Sequence, residues 1–154
     1  MQLYILTGDT GTGKTTRLMQ WCKQQANITG IVTPVIDGKR FFYDITTEEK
    51  RMMEAVADET DVQAVGKYLF SSRAFMWAES MLHLAITSAP DYIVIDEIGP
   101  LELLEKGFNN ILKELLQSDI RKIILVVRRS KVEEVIAAYH LQDVKIIEDP
   151  LGIS

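Results

Sequence analysis

An α/β fold with a mostly parallel central sheet, helices on both faces and a β-hairpin at the edge is predicted by three features of the sequence. First, short runs of almost continuous apolar, β-prone residues recur at Gln2 to Leu6, Tyr92 to Ile95 and Lys122 to Val127. Strands of that kind are buried on both faces. Second, stretches with helical apolar spacing separate them, which is the alternation of a parallel sheet covered by helices. Third, the first run leads straight into a glycine-rich turn, so a ligand site belongs at the carboxyl ends of the strands.

Each element follows from local pattern. After the strand Gln2 to Leu6, residues Gly13 to about Gln25 read as a helix with Leu18, Trp21 and Cys22 on its core face. Cys22 is expected to be a packed thiol, not a reactive one. In Gly30 to Thr46, Asp37-Gly38 separates two β-prone runs, a strong hairpin signal. Phe41, Tyr43 and Ile45 alternate on the returning strand, and Pro34 inside the first run favours an edge position. Thr47 to Asp61 is charged and sparsely apolar, and Met52, Met53 and Val56 permit a short helix. Val65 to Phe70 reads as a strand. Ser71 or Ser72 then caps a helix running to Ala89, with Phe75, Leu82 and Ile86 on one face and His83 as a surface histidine. Pro90 ends it. Leu101 to Gln117 reads as one long amphipathic helix, Lys131 to His140 as a short one, and Val144 to Ile147 as a last strand.

The 154 residues are one domain's worth, enough to bury roughly 70% of the unfolded surface. A net charge of −5 opposes electrostatic binding of nucleic acid, which needs a basic field. A single cysteine excludes an internal disulfide. With no leader-like segment and no apolar run near 18 residues, neither export nor a membrane span is expected, and a cytoplasmic location is.

The chemistry is concentrated in Leu3 to Arg17, LYILTGDTGTGKTTR, which fits G-x-x-x-x-G-K-S/T, the phosphate-binding P-loop. Glycines let successive backbone N–H groups point at phosphate oxygens. The expected nucleotide-binding residues are Gly8, Asp9, Thr10, Gly11, Thr12, Gly13, Lys14, Thr15 and Thr16. Lys14 brings a point charge to the β- and γ-phosphates, Thr15 is a hard oxygen ligand for Mg²⁺, and the helix N-terminus adds positive potential. The second half of the site is the acidic end of Tyr92 to Ile95. Asp96 there supplies the further magnesium contact, usually made through water, and Glu97, one residue on, faces the γ-phosphate and polarises an attacking water. Arg73, Arg128 and Arg129 are candidates for neutralising the equatorial oxygens.

GDTGTGKTT, GIVTPVIDGKRFFYDITT, VGKYLFSSRAFMWAESML and VIDEIGPLEL run in the order and spacing of the THEP1-type nucleoside-triphosphatases, which the chain resembles over nearly its whole length. That resemblance implies a RecA-like P-loop fold in one domain over residues 1–154. It also implies Mg²⁺-dependent hydrolysis of ATP, GTP and other nucleoside triphosphates. Gly8 to Thr16 would hold phosphate, Asp96 the metal, and Glu97 would act as base; Glu102 fills a further acidic position. The chain departs from the family at Ala64, where arginine is usual, at Arg128 and Arg129, where small residues are usual, and beyond Asp149 to Ser154, where a polar segment is usual. Two other readings use the same residues: a nucleoside or nucleotide kinase, and a nucleotide-dependent switch reset by slow hydrolysis.

Overall fold

The computed structural model describes residues 1–8 and 13–153. Its main sheet has five parallel strands in the order β10 (Val144–Ile147), β1 (Gln2–Leu6), β9 (Lys122–Val126), β8 (Tyr92–Asp96), β2 (Ile28–Val32). Antiparallel β4 (Lys39–Asp44), with β3 (Val35–Ile36) and β5 (Lys50–Met52) paired to it, closes the β2 side. Because successive side chains on a strand face opposite ways, β1 sends Leu3 and Ile5 into one layer and Tyr4 and Leu6 into the other. Helix α1 (Lys14–Cys22) covers the second layer with Leu18, Trp21 and Cys22. The opposite face carries α2 (Ser72–Thr87), the short α3 (Pro100–Leu103), α4 (Asn109–Leu116) and α5 (Val132–Ala138). Both faces are covered, as the continuous apolar strands required.

Local signals account for several boundaries. Ser71 is the N-cap of α2, its hydroxyl accepting from the Ala74 N–H at 3.2 Å. Asp37 and Gly38 both take positive φ between β3 and β4, the twist a two-residue hairpin turn needs. His83 lies on the exposed face of α2, with Nδ1 3.3 Å from Glu114 and Nε2 3.9 Å from Glu79. Cys22 is buried, which pushes its thiol up to about 12, so it packs as a small apolar group.

Tertiary pairing overrides the expected pattern in four places. Residues 47–61 form no helix. The buried Asp44 carboxylate instead accepts from the Thr47 backbone and hydroxyl at 2.9 and 2.8 Å, and this turn lays Lys50–Met52 against β4. Pro34 falls in the break between β2 and β3, so β2 is an interior strand and the edge begins after the proline. The expected single strand Val65 to Phe70 is a hairpin, β6 (Val62–Val65) and β7 (Tyr68–Ser71), turning at Gly66-Lys67 as a separate two-stranded sheet. The long helix is interrupted between α3 and α4, where Glu105 and Gly107 have positive φ.

Candidate active site

The carboxyl ends of β9, β8 and β2, the start of α1 and the β3–β4 hairpin surround a cleft of about 430 Å³. Strand β9 lies between β1 and β8, so the P-loop and the acidic pair leave the sheet one strand apart. That spacing suffices for side chains to meet. The Thr15 hydroxyl donates to Asp96 Oδ2 at 2.9 Å, and the Thr33 backbone N–H donates to the same oxygen at 3.2 Å. Gly13 precedes α1 with φ of 75°, a left-handed turn that suits glycine. Lys14 reaches back to the Gly8 carbonyl at 3.3 Å, and Lys14, Thr15 and Thr16 line the cleft. Asp9, Thr10, Gly11 and Thr12 lie outside the described residues.

The two acidic neighbours sit in different surroundings. Asp96 is 2% exposed, and burial raises its pKa against the hydrogen bonds from Thr15 and Thr33. Glu97 is also raised, first by burial and then by the Asp96 charge; Arg128, Arg40 and Lys14 pull it back. It retains access to the cleft, and Arg128 Nε lies 3.2 Å from its Oε1. The peptide between the two acids is cis. Beyond Glu97 the chain is pinned by Glu102, a buried carboxylate that accepts from the Gly99 and Phe108 N–H groups at 2.8 and 2.9 Å. Burial pushes Glu102 up to about 7 in spite of those bonds. Glycine is required at Gly107: φ is 56°, and a Cβ would stand 2.1 Å from Glu102 Oε2.

Of the three arginines nominated from sequence, only Arg128 lines the cleft. Arg129 is paired with Glu148 and Arg73 is exposed at the start of α2. The arginine that sequence reasoning missed is Arg40. It is half-buried on β4 and lines the cleft, and its charge acts on both Asp96 and Glu97. The alternation chosen for β4, Phe41-Tyr43-Ile45, pointed to the other face. The fully buried ring is Phe42, and Arg40 shares its side of the strand.

The model of the family described as NTPase matches residues 3–148. A "Nucleoside-triphosphatase THEP1" from Sulfolobus acidocaldarius is 31% identical over 141 residues, 86% of this chain and 80% of the relative. One of the same name from Methanothermobacter thermautotrophicus is 30% identical over 138 residues, 82% and 76%. The chain belongs to the THEP1 nucleoside-triphosphatases. A crystal structure of THEP1 from the hyperthermophile Aquifex aeolicus has the same fold, with a TM-score of 0.77 at 23% identity over 99% of this chain and 92% of that one. Membership makes the chain a nucleoside-triphosphate phosphohydrolase. The family implies a divalent metal. Among the described residues no group of three or more His, Cys, Asp or Glu could hold one. A triphosphate-bound ion needs fewer protein ligands, because phosphate and water oxygens complete its shell. The Thr15 and Asp96 oxygens, 2.9 Å apart, are separated by about one edge of an octahedron with ~2.05 Å bonds. Those two residues fit the ion. No helix among the described residues is long and apolar enough to cross a membrane.

Proposed function

We propose that the chain hydrolyses ATP, GTP and other nucleoside triphosphates to the diphosphate and phosphate with Mg²⁺, using Glu97 to activate water. The observation that carries this reading is the meeting of Thr15 and Asp96 at 2.9 Å, with Glu97 as the next residue on the cleft wall. Gly8, Asp9, Thr10, Gly11, Thr12, Gly13, Lys14, Thr15 and Thr16 bind the phosphates, Lys14 by charge and the others through backbone or hydroxyl groups. Thr15 and Asp96 hold Mg²⁺, which when bound offsets charge on the β- and γ-oxygens.

Glu97 accepts a hydrogen bond from the attacking water and takes its proton as the oxygen bonds to the γ-phosphorus. The bond from that phosphorus to the bridging oxygen breaks, and the diphosphate leaves with the electron pair. A carboxylate made more basic by burial is better suited to this task than a solvated one. Arg40 and Arg128 offset charge on the equatorial oxygens, where fixed cations act without reorganising. The cleft has no base-reading motif such as N/T-K-x-D in the sequence, consistent with several bases being accepted.

Phosphate release from ATP, GTP, CTP and UTP, with and without Mg²⁺, tests this for wild type and Lys14→Ala. Turnover of all four that needs the metal and Lys14 is expected. Metal-independent release, or release that survives Lys14→Ala, overturns it.

A further inference from the structure

A second cleft, of about 660 Å³, adjoins the first. Its wall is the β6–β7 hairpin, and its apolar side is built from Phe42, Phe70, Phe75 and Phe108, with the exposed Tyr68 ring stacked on Phe70 at 6.0 Å. The two clefts share five residues: Thr33, Val35, Arg40, Glu97 and Arg128. None of Gly13 to Thr16 lines the second one. The carboxylate assigned as base therefore faces the P-loop on one side and an aromatic cavity on the other.

Hydrolysis needs one water at this place, and a water occupies only about 30 Å³ of liquid. A cavity of 660 Å³ has the size of a small-molecule site. In an in-line displacement the nucleophile enters opposite the leaving diphosphate. Glu97 lines both clefts, while Gly13 to Thr16 line only the first, so a group held in the second cleft meets Glu97 from the side away from the P-loop residues.

We propose that the second cleft is an acceptor site for a nucleoside, making the chain a phosphotransferase as well as a hydrolase. The proposal rests on Glu97 being the base of the hydrolytic reaction. The four phenylalanines are buried beneath the surface, and the exposed Tyr68 ring is the face on which a flat heterocyclic ring can stack. The lining sets three cations, Arg40, Lys67 and Arg128, against Glu54, Glu97 and the partly protonated Glu102, a balance near neutrality that suits an uncharged acceptor. In the step, an acceptor hydroxyl oxygen bonds to the γ-phosphorus while its proton passes to Glu97. The bond to the β-phosphate bridging oxygen breaks, and the nucleoside diphosphate departs with that electron pair. Water in the empty cleft gives hydrolysis instead.

The test uses the whole chain, Mg²⁺ and γ-labelled GTP, with adenosine, guanosine, cytidine, uridine and thymidine as separate probes. Labelled nucleoside monophosphate is resolved from labelled phosphate. At least one probe should direct more than half of the label into nucleoside monophosphate, and Tyr68→Ala should lower the transferred-to-released ratio at least fivefold. Phe70→Leu, which keeps the wall apolar, gives the same comparison if Tyr68→Ala is poorly folded. Label found only in phosphate with all five probes overturns the proposal. So does a Tyr68→Ala variant whose GTP KM rises tenfold with no transfer by wild type, because the cleft then serves the substrate's own base. Failure of the hydrolytic reading looks different: Glu97→Gln would keep releasing phosphate without any probe.

Discussion

The two walls of the candidate active site are built on different principles. One wall comes from the parallel core: β1 delivers the P-loop, β8 delivers Asp96, and the Thr15–Asp96 contact spans the strand between them. The other comes from the β3–β4 hairpin at the end of the sheet and the separate β6–β7 hairpin, which bring Arg40, Phe42, Tyr68 and Phe70. Core strands are held by neighbours on both sides and by helices above and below, so the first wall positions its groups without further support. The hairpin wall hangs on turns: Asp37-Gly38, the Asp44–Thr47 turn and Gly66. In the proposed reaction, the phosphate contacts thus come from the core, and the charge and shape around the γ-phosphate come from its additions.

The largest effect should follow from removing the group at the junction of the two walls. Glu97→Gln keeps the shape and removes the base, so phosphate release should fall about 10³-fold while MgGTP binding by calorimetry stays near wild type. A matching loss of binding would make Glu97 part of the phosphate site instead. On the hairpin wall, Arg40→Ala should lower kcat about 10²-fold with a smaller change in KM, since the charge is needed most as the phosphoryl group separates. Arg128→Ala should cost less, because it also frees Glu97 from an ion pair. Equal rates for Arg40→Ala and wild type would leave the hairpin without a part in hydrolysis.

The same division explains what could be read from sequence. Continuous apolar runs exposed the parallel strands β1, β8 and β9, and the P-loop followed by an acidic strand end singled out Lys14, Thr15, Asp96 and Glu97, which line one cleft. The hairpin wall was hidden because its decisive interactions join residues that no short pattern relates. Asp44 folds back on Thr47 and makes a strand where charged residues suggested a helix. Gly66 lies inside a β-prone run and yet forms the turn between β6 and β7. Phe41, Phe42 and Tyr43 are all aromatic, so alternation alone could not say which face of β4 was buried, and choosing the wrong one lost Arg40.

Gly107 tests how the core wall holds the segment after Glu97. Alanine there must adopt φ of 56° and push against Glu102 Oε2, with a Cβ placed 2.1 Å away. The strain and the displaced carboxylate should together cost about 2–3 kcal/mol, visible as a lower urea midpoint with unchanged slope. An unchanged midpoint would mean that the loop between α3 and α4 relaxes freely.

Glu102 itself gives the smallest and most specific effect. Burial raises its carboxyl to about 7 from an ordinary value of 4.5, so between those pH values the folded chain binds more protons there than the unfolded chain does. Stability from this group is therefore fully present below about pH 4.5 and is lost as pH rises through about 7. Asp96 and Glu97 are raised too and contribute slopes of the same sign. Glu102→Gln cannot ionise: its oxygen still accepts from Gly99 or Phe108, while its NH₂ faces the other N–H, a cost that does not change with pH. The variant should thus lack wild type's decline between pH 5.5 and pH 7.5, a difference of about 1–2 kcal/mol in the change between the two. Denaturant titrations at the two pH values measure it. If both proteins decline equally, the raised group lies elsewhere, and the two N–H bonds hold Glu102 charged throughout.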